Sequence, residues 1–320
     1  MPVVASFGDI NVDLLASVDR HPPRGEESFA SKASIGVGGS ASNTAVALAR
    51  LGFDSRILAQ VGDDDFGLRA LSRLVGAGVD TGYVVRSADQ TTGINIVLVD
   101  PDGERTMIGI PGANRSYPGS PGWEDDSDWL HMSAYALLEP PQATAAIEAL
   151  RAARETRTPF SFDVPSGVAA VLGSDLLRHL TGATIVAIGL GSLASVCPGS
   201  DPIRGLLDYR VDTVAVTDGD RPFTLRREVE EVTVEPPRVP NVDSTGAGDS
   251  FVAGLVAGRL RGGSLEGTAV LAAALGAAAV GVRGAGDELA DPVRVKELLE
   301  DGRWAVDADW RREALDMARL

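Results

Sequence analysis

Short apolar runs alternate along most of this chain with stretches rich in helix-forming residues. The first run, Val3–Phe7, ends at Gly8-Asp9, a loop signal. Strands that read as nearly continuous apolar runs are typical of a parallel sheet covered on both faces. The alternation therefore predicts an α/β fold with a central, mainly parallel sheet. We predict further strands at residues 55–62, 83–85, 129–132, 159–163, 184–188 and 211–217, and helices at residues 40–51, 66–75, 142–154, 175–179 and 203–207.

Two regions interrupt this alternation. In residues 92–110, alternating apolar side chains flank Asp100-Pro101-Asp102-Gly103, a strong turn sequence, which predicts a β-hairpin. A second β segment is predicted within residues 14–36. Because neither fits the main sheet, we expect the two to pair as a small lid. With no internal repeat or low-complexity linker in the sequence, residues 1–320 are expected to form one domain.

Charge and cysteine content narrow the function classes. The chain has 320 residues and a formal net charge of −16 at pH 7, whereas nucleic-acid binding needs clustered Lys and Arg. A small ligand is the expected partner. Cys197 is the only cysteine and the three histidines are scattered, which argues against an intrachain disulfide and a zinc site. The sequence contains neither a signal peptide pattern nor a run of about 18 uncharged apolar residues, so we expect a cytoplasmic protein without a membrane partner.

The strongest local motif is Asp243-Ser244-Thr245-Gly246-Ala247-Gly248-Asp249, followed by the helical sequence SFVAGLVAGRL. Gly246 and Gly248 allow the backbone to approach a ligand, and the helix start offers unpaired N–H groups and a positive dipole end. Phosphoryl transfer needs such amides beside a carboxylate base. In a bland alternative, Asp249 merely stabilises the helix start by roughly 0.3–1 kcal/mol. The motif alone leaves both interpretations open.

A second motif, Gly38-Gly39-Ser40-Ala41-Ser42-Asn43, precedes a predicted helix. Together the two motifs resemble the signature regions of the ribokinase-like, or PfkB-type, carbohydrate kinases. The resemblance extends from Gly8 to about Pro292 and leaves the tail at residues 298–320 outside it. It implies a ribokinase-like fold, with a central parallel sheet, flanking helices and a small β lid.

The resemblance also implies roles for individual residues. Asp249 would be the catalytic base, with Gly246, Ala247 and Gly248 forming the anion hole. Acceptor hydroxyls would be bound by Asn11, Asp13, Gly39, Asn43 and Glu139, whose amides and carboxylates suit a polyol. Turn capping for Asn11 and Asp13 is the bland alternative. The nucleotide would contact Thr217 and Gly219, and Asp243 and Thr245 would lie at a monovalent cation site, for K⁺.

The implied activity is an ATP- and Mg²⁺-dependent transfer of the γ-phosphoryl group to a primary hydroxyl of a ribose- or fructose-like sugar. A nucleoside kinase of the same family is one alternative. A weakly active or non-catalytic sugar-binding relative is another. Exposed strand edges of the lid favour a homodimer formed through it.

The nucleotide side departs from the family pattern. Gly189-Leu190-Gly191-Ser192 replaces the usual Asn-x-x-Glu, Pro222 replaces a loop glycine, and the segment LAAALGAAAVGV lacks an Asn. We therefore expect weak discrimination among nucleotide donors. Gly189-x-Gly191-x-x-Ala194 and Gly36-x-Gly38-x-x-Ala41 also satisfy a dinucleotide fingerprint. No acid ends a strand about 20 residues beyond either, so we reject an oxidoreductase.

Overall fold

The computed structural model describes residues 1–101, 105–281, 289 and 291–319, and all structural statements below concern these residues. The predicted α/β fold is confirmed. In chain order the strands are β1 (Val3–Phe7), β2 (Asn11–Val18), β3 (Ala30–Gly38), β4 (Asp54–Leu58), β5 (Gln60–Gly62), β6 (Val85–Ser87), β7 (Gly93–Val99), β8 (Arg105–Ile110), β9 (Trp129–Ser133), β10 (Phe160–Val164), β11 (Ile185–Gly189), β12 (Thr213–Thr217), β13 (Phe223–Arg227) and β14 (Glu230–Val234).

The helices cover both faces of the main sheet. They are α1 (Ser40–Arg50), α2 (Asp65–Gly76), α3 (Gln142–Thr156), α4 (Ser166–Leu172), α5 (Leu177–Leu180), α6 (Leu190–Val196), α7 (Pro202–Asp208), α8 (Ala247–Leu260), α9 (Leu265–Val280), α10 (Pro292–Glu300) and α11 (Ala308–Ala318). No helix in the described part of the chain is both long and apolar enough to cross a membrane.

The main sheet has the order β14-β13-β12-β11-β10-β9-β1-β4 among the described strands. The pairs from β12 to β4 are parallel, whereas β13 and β14 form an antiparallel hairpin at one edge. The sequence did not predict this hairpin, because its strands mix charged and apolar residues and do not stand out as apolar runs. Since β1 and β9 to β12 are parallel, the loops that follow them lie at one carboxyl edge of the sheet.

Alternate side chains of the parallel strands enter two separate cores. Val4 and Ala187 pack in the core formed with α1, α8 and α9, whereas Ala5 and Val186 pack in the core formed with α3 and α4. Within each strand, the two adjacent residues point to opposite faces of the sheet, and both are fully or nearly fully buried. This burial on both faces explains why the strands appear in the sequence as continuous apolar runs.

A second sheet, with the order β3-β2-β7-β8, lies outside the βα alternation. It joins the two segments expected to pair as a lid, because β2 and β7 are parallel neighbours that place Asn11 opposite Gly93 and Asp13 opposite Asn95. The predicted hairpin is present as antiparallel β7 and β8. Residues 102 and 103 of the predicted turn lie outside the described residues. We call the sheet of β2, β3, β7 and β8 the lid.

Several boundaries differ from those expected. The strand predicted at 55–62 is divided into β4 and β5, since the chain leaves the main sheet after Leu58 and β5 pairs with β6. The strand predicted at 83–85 overlaps β6 only at Val85. The helix predicted at 175–179 is a 3₁₀ turn, Gly173–Leu176, followed by α5. Residues beyond Pro292 form α10 and α11, which bury Leu299 and Trp304 against the core containing α9.

Candidate active site

The loops after the parallel strands and the lid enclose a cavity of about 550 Å³. The cavity lies at the carboxyl edge of the sheet, where ligands of open α/β folds bind. All acceptor-binding residues expected from the sequence line it, as do Thr245, Gly246, Gly248 and Asp249. They come from the lid, from α1, from the loop after β9 and from the start of α8. The fold thus brings together residues that are up to 240 positions apart, from Asp9 to Asp249.

Asp249 is held by a residue of the other sequence motif. Asn43 Nδ2 donates a hydrogen bond of 2.7 Å to Asp249 Oδ2 across 206 residues. Burial and the nearby negative charge of Asp163 raise the pKa of Asp249 to about 8, although the Asn43 hydrogen bond acts in the opposite direction. A carboxylate with a near-neutral pKa is a stronger proton acceptor than one with an ordinary value. The geometry therefore suits Asp249 to general-base catalysis.

The start of α8 presents backbone amides to the same cavity. Gly246, at φ +76°, turns the chain into the helix, and Ser250 N–H donates the first intrahelical bond, 2.8 Å to Gly246 O. The N–H groups of Gly248 and Asp249 come before Ser250 in the first turn, where a helix has no acceptor for them. Ala247 N–H points to Ser244 O at 3.3 Å. A Cβ built at Gly248 would meet no atom within 4 Å among those described. The first turn can therefore receive an anion.

Asp9 is a site residue that sequence analysis missed. Its carboxylate accepts hydrogen bonds from Ser40 N and Ala41 N, both at 3.3 Å, and from Asn11 Nδ2 at 2.9 Å. These contacts anchor the start of α1 to the end of β1. Burial raises the pKa of Asp9 despite these bonds. Its position directly after the first buried strand was the available signal, because ligand groups gather at such strand ends.

Asn11 takes part in a buried amide network. Asn114 Nδ2 donates to Asn11 Oδ1 at 2.8 Å, and Ile10 N donates to Asn114 Oδ1 at 3.0 Å. One N–H of Asn11 is directed to Asp9, which leaves its other N–H for a ligand. A side chain at Gly93 would collide with both amides, which explains the glycine there. Asn11 therefore links Asp9 to Asn114, in addition to the acceptor-binding role expected for it.

Asp13 points from the lid into the cavity. Asn95 Nδ2 donates to Asp13 Oδ1 at 2.9 Å, across the β2–β7 pairing. Burial, opposed by this hydrogen bond, raises the pKa of Asp13 to about 6. Gly38 packs directly on the Asp13 carboxylate, where a Cβ would overlap it. The remaining oxygen of Asp13 is suited to accept a hydrogen bond from a hydroxyl group.

Two further acids complete the wall of the cavity. Asp163, at the end of β10, accepts from Ser40 Oγ at 3.4 Å, and burial raises its pKa to about 6. Glu139, in the loop after β9, is half-exposed and pairs with Arg115 at 2.9 Å. Asp163 was not identified from the sequence, although an acid near the end of a buried strand was again a usable signal.

The nucleotide-side residues lie at the same edge but outside the cavity lining. Thr217 is the last residue of β12 and pairs in register with Gly189, the last residue of β11. Gly219, at φ +66°, lies in the turn that follows Thr217. Ser192 is largely buried in α6. The end of β11 thus offers glycine and a buried serine, whereas the loop after β12 carries charged side chains, of which Asp218 and Arg221 form an ion pair.

Asp243 and Thr245 both contact a side chain of the lid. Arg105, the first residue of β8, forms an ion pair of 2.5 Å with Asp243 Oδ1 and donates to Ser244 Oγ at 2.9 Å. It also contacts Thr245 Oγ1. Asp243 Oδ1 in turn accepts from Thr245 N at 2.8 Å. This donor set, with a guanidinium already on the carboxylate, does not fit a monovalent cation.

The cavity does fit Mg²⁺ brought in on a nucleotide. The described residues contain no cluster of three metal-ligating His, Cys, Asp or Glu side chains. Mg²⁺ in phosphoryl-transfer enzymes keeps several waters and takes only one or two carboxylates besides the phosphates. Asp163 lines the cavity and would supply one such carboxylate.

Known proteins resemble the chain over most of its length. Residues 1–292 match the family model for pfkB family carbohydrate kinases. An ATP-dependent ribose-1-phosphate kinase from Halopiger xanaduensis is 33% identical, covering 81% of this chain and 86% of that protein. A fructokinase from Klebsiella pneumoniae is 32% identical, covering 69% and 76%. The crystal structure of a fructokinase with bound ATP from Xylella fastidiosa superimposes with a TM-score of 0.79 at 25% identity, covering 93% and 98%.

The family model ends at residue 292, where the sequence resemblance was expected to end. The two motifs that carried the resemblance also meet in the structure, through the hydrogen bond from Asn43 to Asp249. The chain belongs to the pfkB family of carbohydrate kinases.

Proposed function

We propose that this protein is an ATP-dependent kinase that phosphorylates a primary hydroxyl of a ribose- or fructose-like sugar. The observation that carries the proposal is the convergence of Asp249, the start of α8 and the five expected acceptor-binding residues on one cavity. The hydrogen bond between Asn43 and Asp249 connects the acceptor residues to the base. Family membership and the relatives named above support the same activity.

In this proposal Asp249 takes the proton of the acceptor hydroxyl as that oxygen attacks the γ-phosphorus. The amides of Gly248 and Asp249 stabilise the charge on the transferred group, with Ala247 completing the turn. Mg²⁺, when bound with the nucleotide, neutralises phosphate charge. Asn11, Asp13, Gly39, Asn43 and Glu139 orient the acceptor, and the lid excludes water from the cavity.

The nucleotide would lie along the ends of β11 and β12, where Thr217 and Gly219 are in place. Its phosphates would then reach the start of α8 from the side opposite to the lid residues. This assignment depends on the strand ends and on the family resemblance.

A riboside kinase is a second candidate, supported by the apolar part of the cavity. The wall formed by the lid and the loop after β9 includes apolar side chains near the polar acceptor residues: Leu15, Val97, Met107, Ile110, Tyr135 and Leu138. A bare sugar presents hydroxyls on all sides, whereas a riboside carries a flat apolar base that such a wall can accommodate.

A coupled assay of nucleotide consumption across pentoses, ketohexoses, aldohexoses and ribosides tests the proposal. We expect one class of acceptor to stimulate ATP consumption at least tenfold over the acceptor-free rate, and Asp249→Asn to abolish the stimulation. Calorimetric titration of the same compounds distinguishes a kinase from a relative that binds sugar without phosphorylating it. Binding of a sugar without any turnover would indicate a non-catalytic sugar-binding relative, and would contradict the proposed kinase.

A further inference from the structure

The lid contributes a positive charge beside the proposed anion site. Arg105 reaches from β8 to Asp243, Ser244 and Thr245, the three residues that directly precede the turn into α8. The Arg105 and Asp243 side chains are only 16% and 6% exposed. An ion pair this sheltered is screened less by salt than a surface pair, and removing one partner leaves a buried charge without compensation.

This arrangement favours the binding of an anion. A cation near a helix N-terminus opposes the positive end of the helix dipole. Asp243 offsets the charge of Arg105, and an incoming phosphate would offset it further, because a guanidinium binds phosphate oxygens well. Arg105 therefore raises the affinity of the first turn of α8 for an anion, which is the effect expected of a bound monovalent cation at this place.

We infer that Arg105 supplies, from the lid, the positive charge that a monovalent cation would otherwise supply beside the anion hole. Arg105 acts as a positioning residue that joins the lid to the loop before α8. The protein should then work equally well in K⁺, in Na⁺ and without either ion. The inference rests on the proposed kinase activity for its kinetic part only, because the coupling between Arg105 and Asp243 can be measured without catalysis.

The kinetic test compares wild type, Arg105→Ala and Arg105→Lys in KCl, NaCl and tetramethylammonium chloride at equal ionic strength. We expect wild-type kcat to agree within about twofold among the salts. Arg105→Ala should lose roughly 10- to 100-fold in kcat, the range for residues that orient the groups around a bound ion. Arg105→Lys should recover part of this loss, and so should added guanidinium at concentrations below those that unfold the protein.

Arg20 provides a matched control. It also lies in the lid region, between β2 and β3, and forms an exposed ion pair with Glu26. Arg20→Ala should leave kcat and its salt dependence unchanged. A wild-type enzyme stimulated severalfold by K⁺, or an Arg105→Ala variant with kcat within twofold of wild type, would overturn the inference.

A second measurement does not depend on catalysis. The thermal midpoints of Arg105→Ala, Asp243→Asn and the double variant form a cycle, measured without ligands. We expect the double variant to be no less stable than Arg105→Ala alone, since Asp243 loses its main partner in both. Fully additive losses would mean that the two side chains do not interact and would overturn the inference even in an active enzyme. If the cycle shows that the two side chains interact but the protein phosphorylates no acceptor, only the proposed function is contradicted.

Discussion

The acceptor side and the nucleotide side of this site differ in the side chains that they present. On the acceptor side, Asp9, Asp13, Asp163 and Asp249 enter one cavity, and each is held by an amide or hydroxyl group. On the nucleotide side, β11 ends at Gly189 and is followed by Gly191 and the largely buried Ser192, while in the loop after β12 Asp218 is paired with Arg221. Hydrogen-bonding side chains discriminate strongly between ligands, whereas backbone binds what all nucleotides share. We therefore expect the acceptor to be recognised more strictly than the donor.

The largest expected effect is on Asp249. Asp249→Asn should lower kcat roughly 10²- to 10⁴-fold, the usual range for a lost general base, because the amide cannot accept the proton. Both KM values should change little, since Asn keeps the size of the side chain. Steady-state kinetics with both substrates measure this. An Asn variant with wild-type turnover would remove Asp249 from the mechanism.

Folding stability is the control for Asp249→Asn, and the direction in which it changes with pH can be predicted. Because folding raises the pKa of Asp249 from 3.8 to about 8, its stabilising effect is complete below about pH 4 and is lost as pH rises through 8. The neutral Asn avoids this loss. Thermal midpoints at pH 8.5 should therefore be at least as high for the variant as for wild type, which separates catalytic loss from unfolding.

Asp13 tests the acceptor side directly. Asp13→Ala should raise the acceptor KM roughly 10- to 100-fold, because a buried hydroxyl left without its partner costs about 1–3 kcal/mol, and should leave the nucleotide KM within about twofold. Asp80→Ala is the matched control, since the Asp80 side chain lies outside the cavity lining and accepts from Gly82 N within its own turn. A rise in nucleotide KM instead would reverse the assignment of the two sides.

The pH dependence distinguishes Asn43 from the other acceptor residues. The kcat of the wild type should rise with pH towards the pKa of Asp249, near 8, because only the ionised form accepts a proton. The hydrogen bond from Asn43 lowers that pKa, so Asn43→Ala should move the midpoint to higher pH and reduce kcat severalfold at pH 7. Asn95→Ala, which frees Asp13 in the lid, should leave the midpoint in place. An unchanged profile for Asn43→Ala would show that Asp249 is not the group that titrates.

The smallest expected effect concerns the donor. With α9 offering only Glu266 and Thr268 as polar side chains, no Asn of this helix can read the base, and ATP and GTP should differ less than about tenfold in kcat/KM. A donor panel at saturating acceptor measures this. A preference for ATP above a hundredfold would show that the base is recognised elsewhere, and would end the contrast between the two sides.

Much of the fold was predictable because its signals are local. Continuous apolar runs marked β1 and β9 to β12, and turn residues marked the hairpin of β7 and β8. The strands β13 and β14 were missed, since an edge hairpin with one exposed face carries a weaker pattern. The helices α10 and α11 also went unassigned, because short amphipathic helices lack distinctive motifs. Pairing of two subunits through the lid stays a prediction, with Met107 and Ile108 exposed on β8 and Phe29 exposed just before β3.

By itself the sequence determined the chemistry available: a glycine turn before a helix, a carboxylate at its start, and amides and acids of the kind that bind hydroxyls. Only the tertiary structure decided which of them meet. It connected Asn43 to Asp249 and aligned Asp13 with Asn95. It also placed Arg105 on Asp243, where the family resemblance implied a cation site. The physical reason is that a side chain's pKa and partners depend on burial and on contacts between distant segments, which local sequence patterns do not encode.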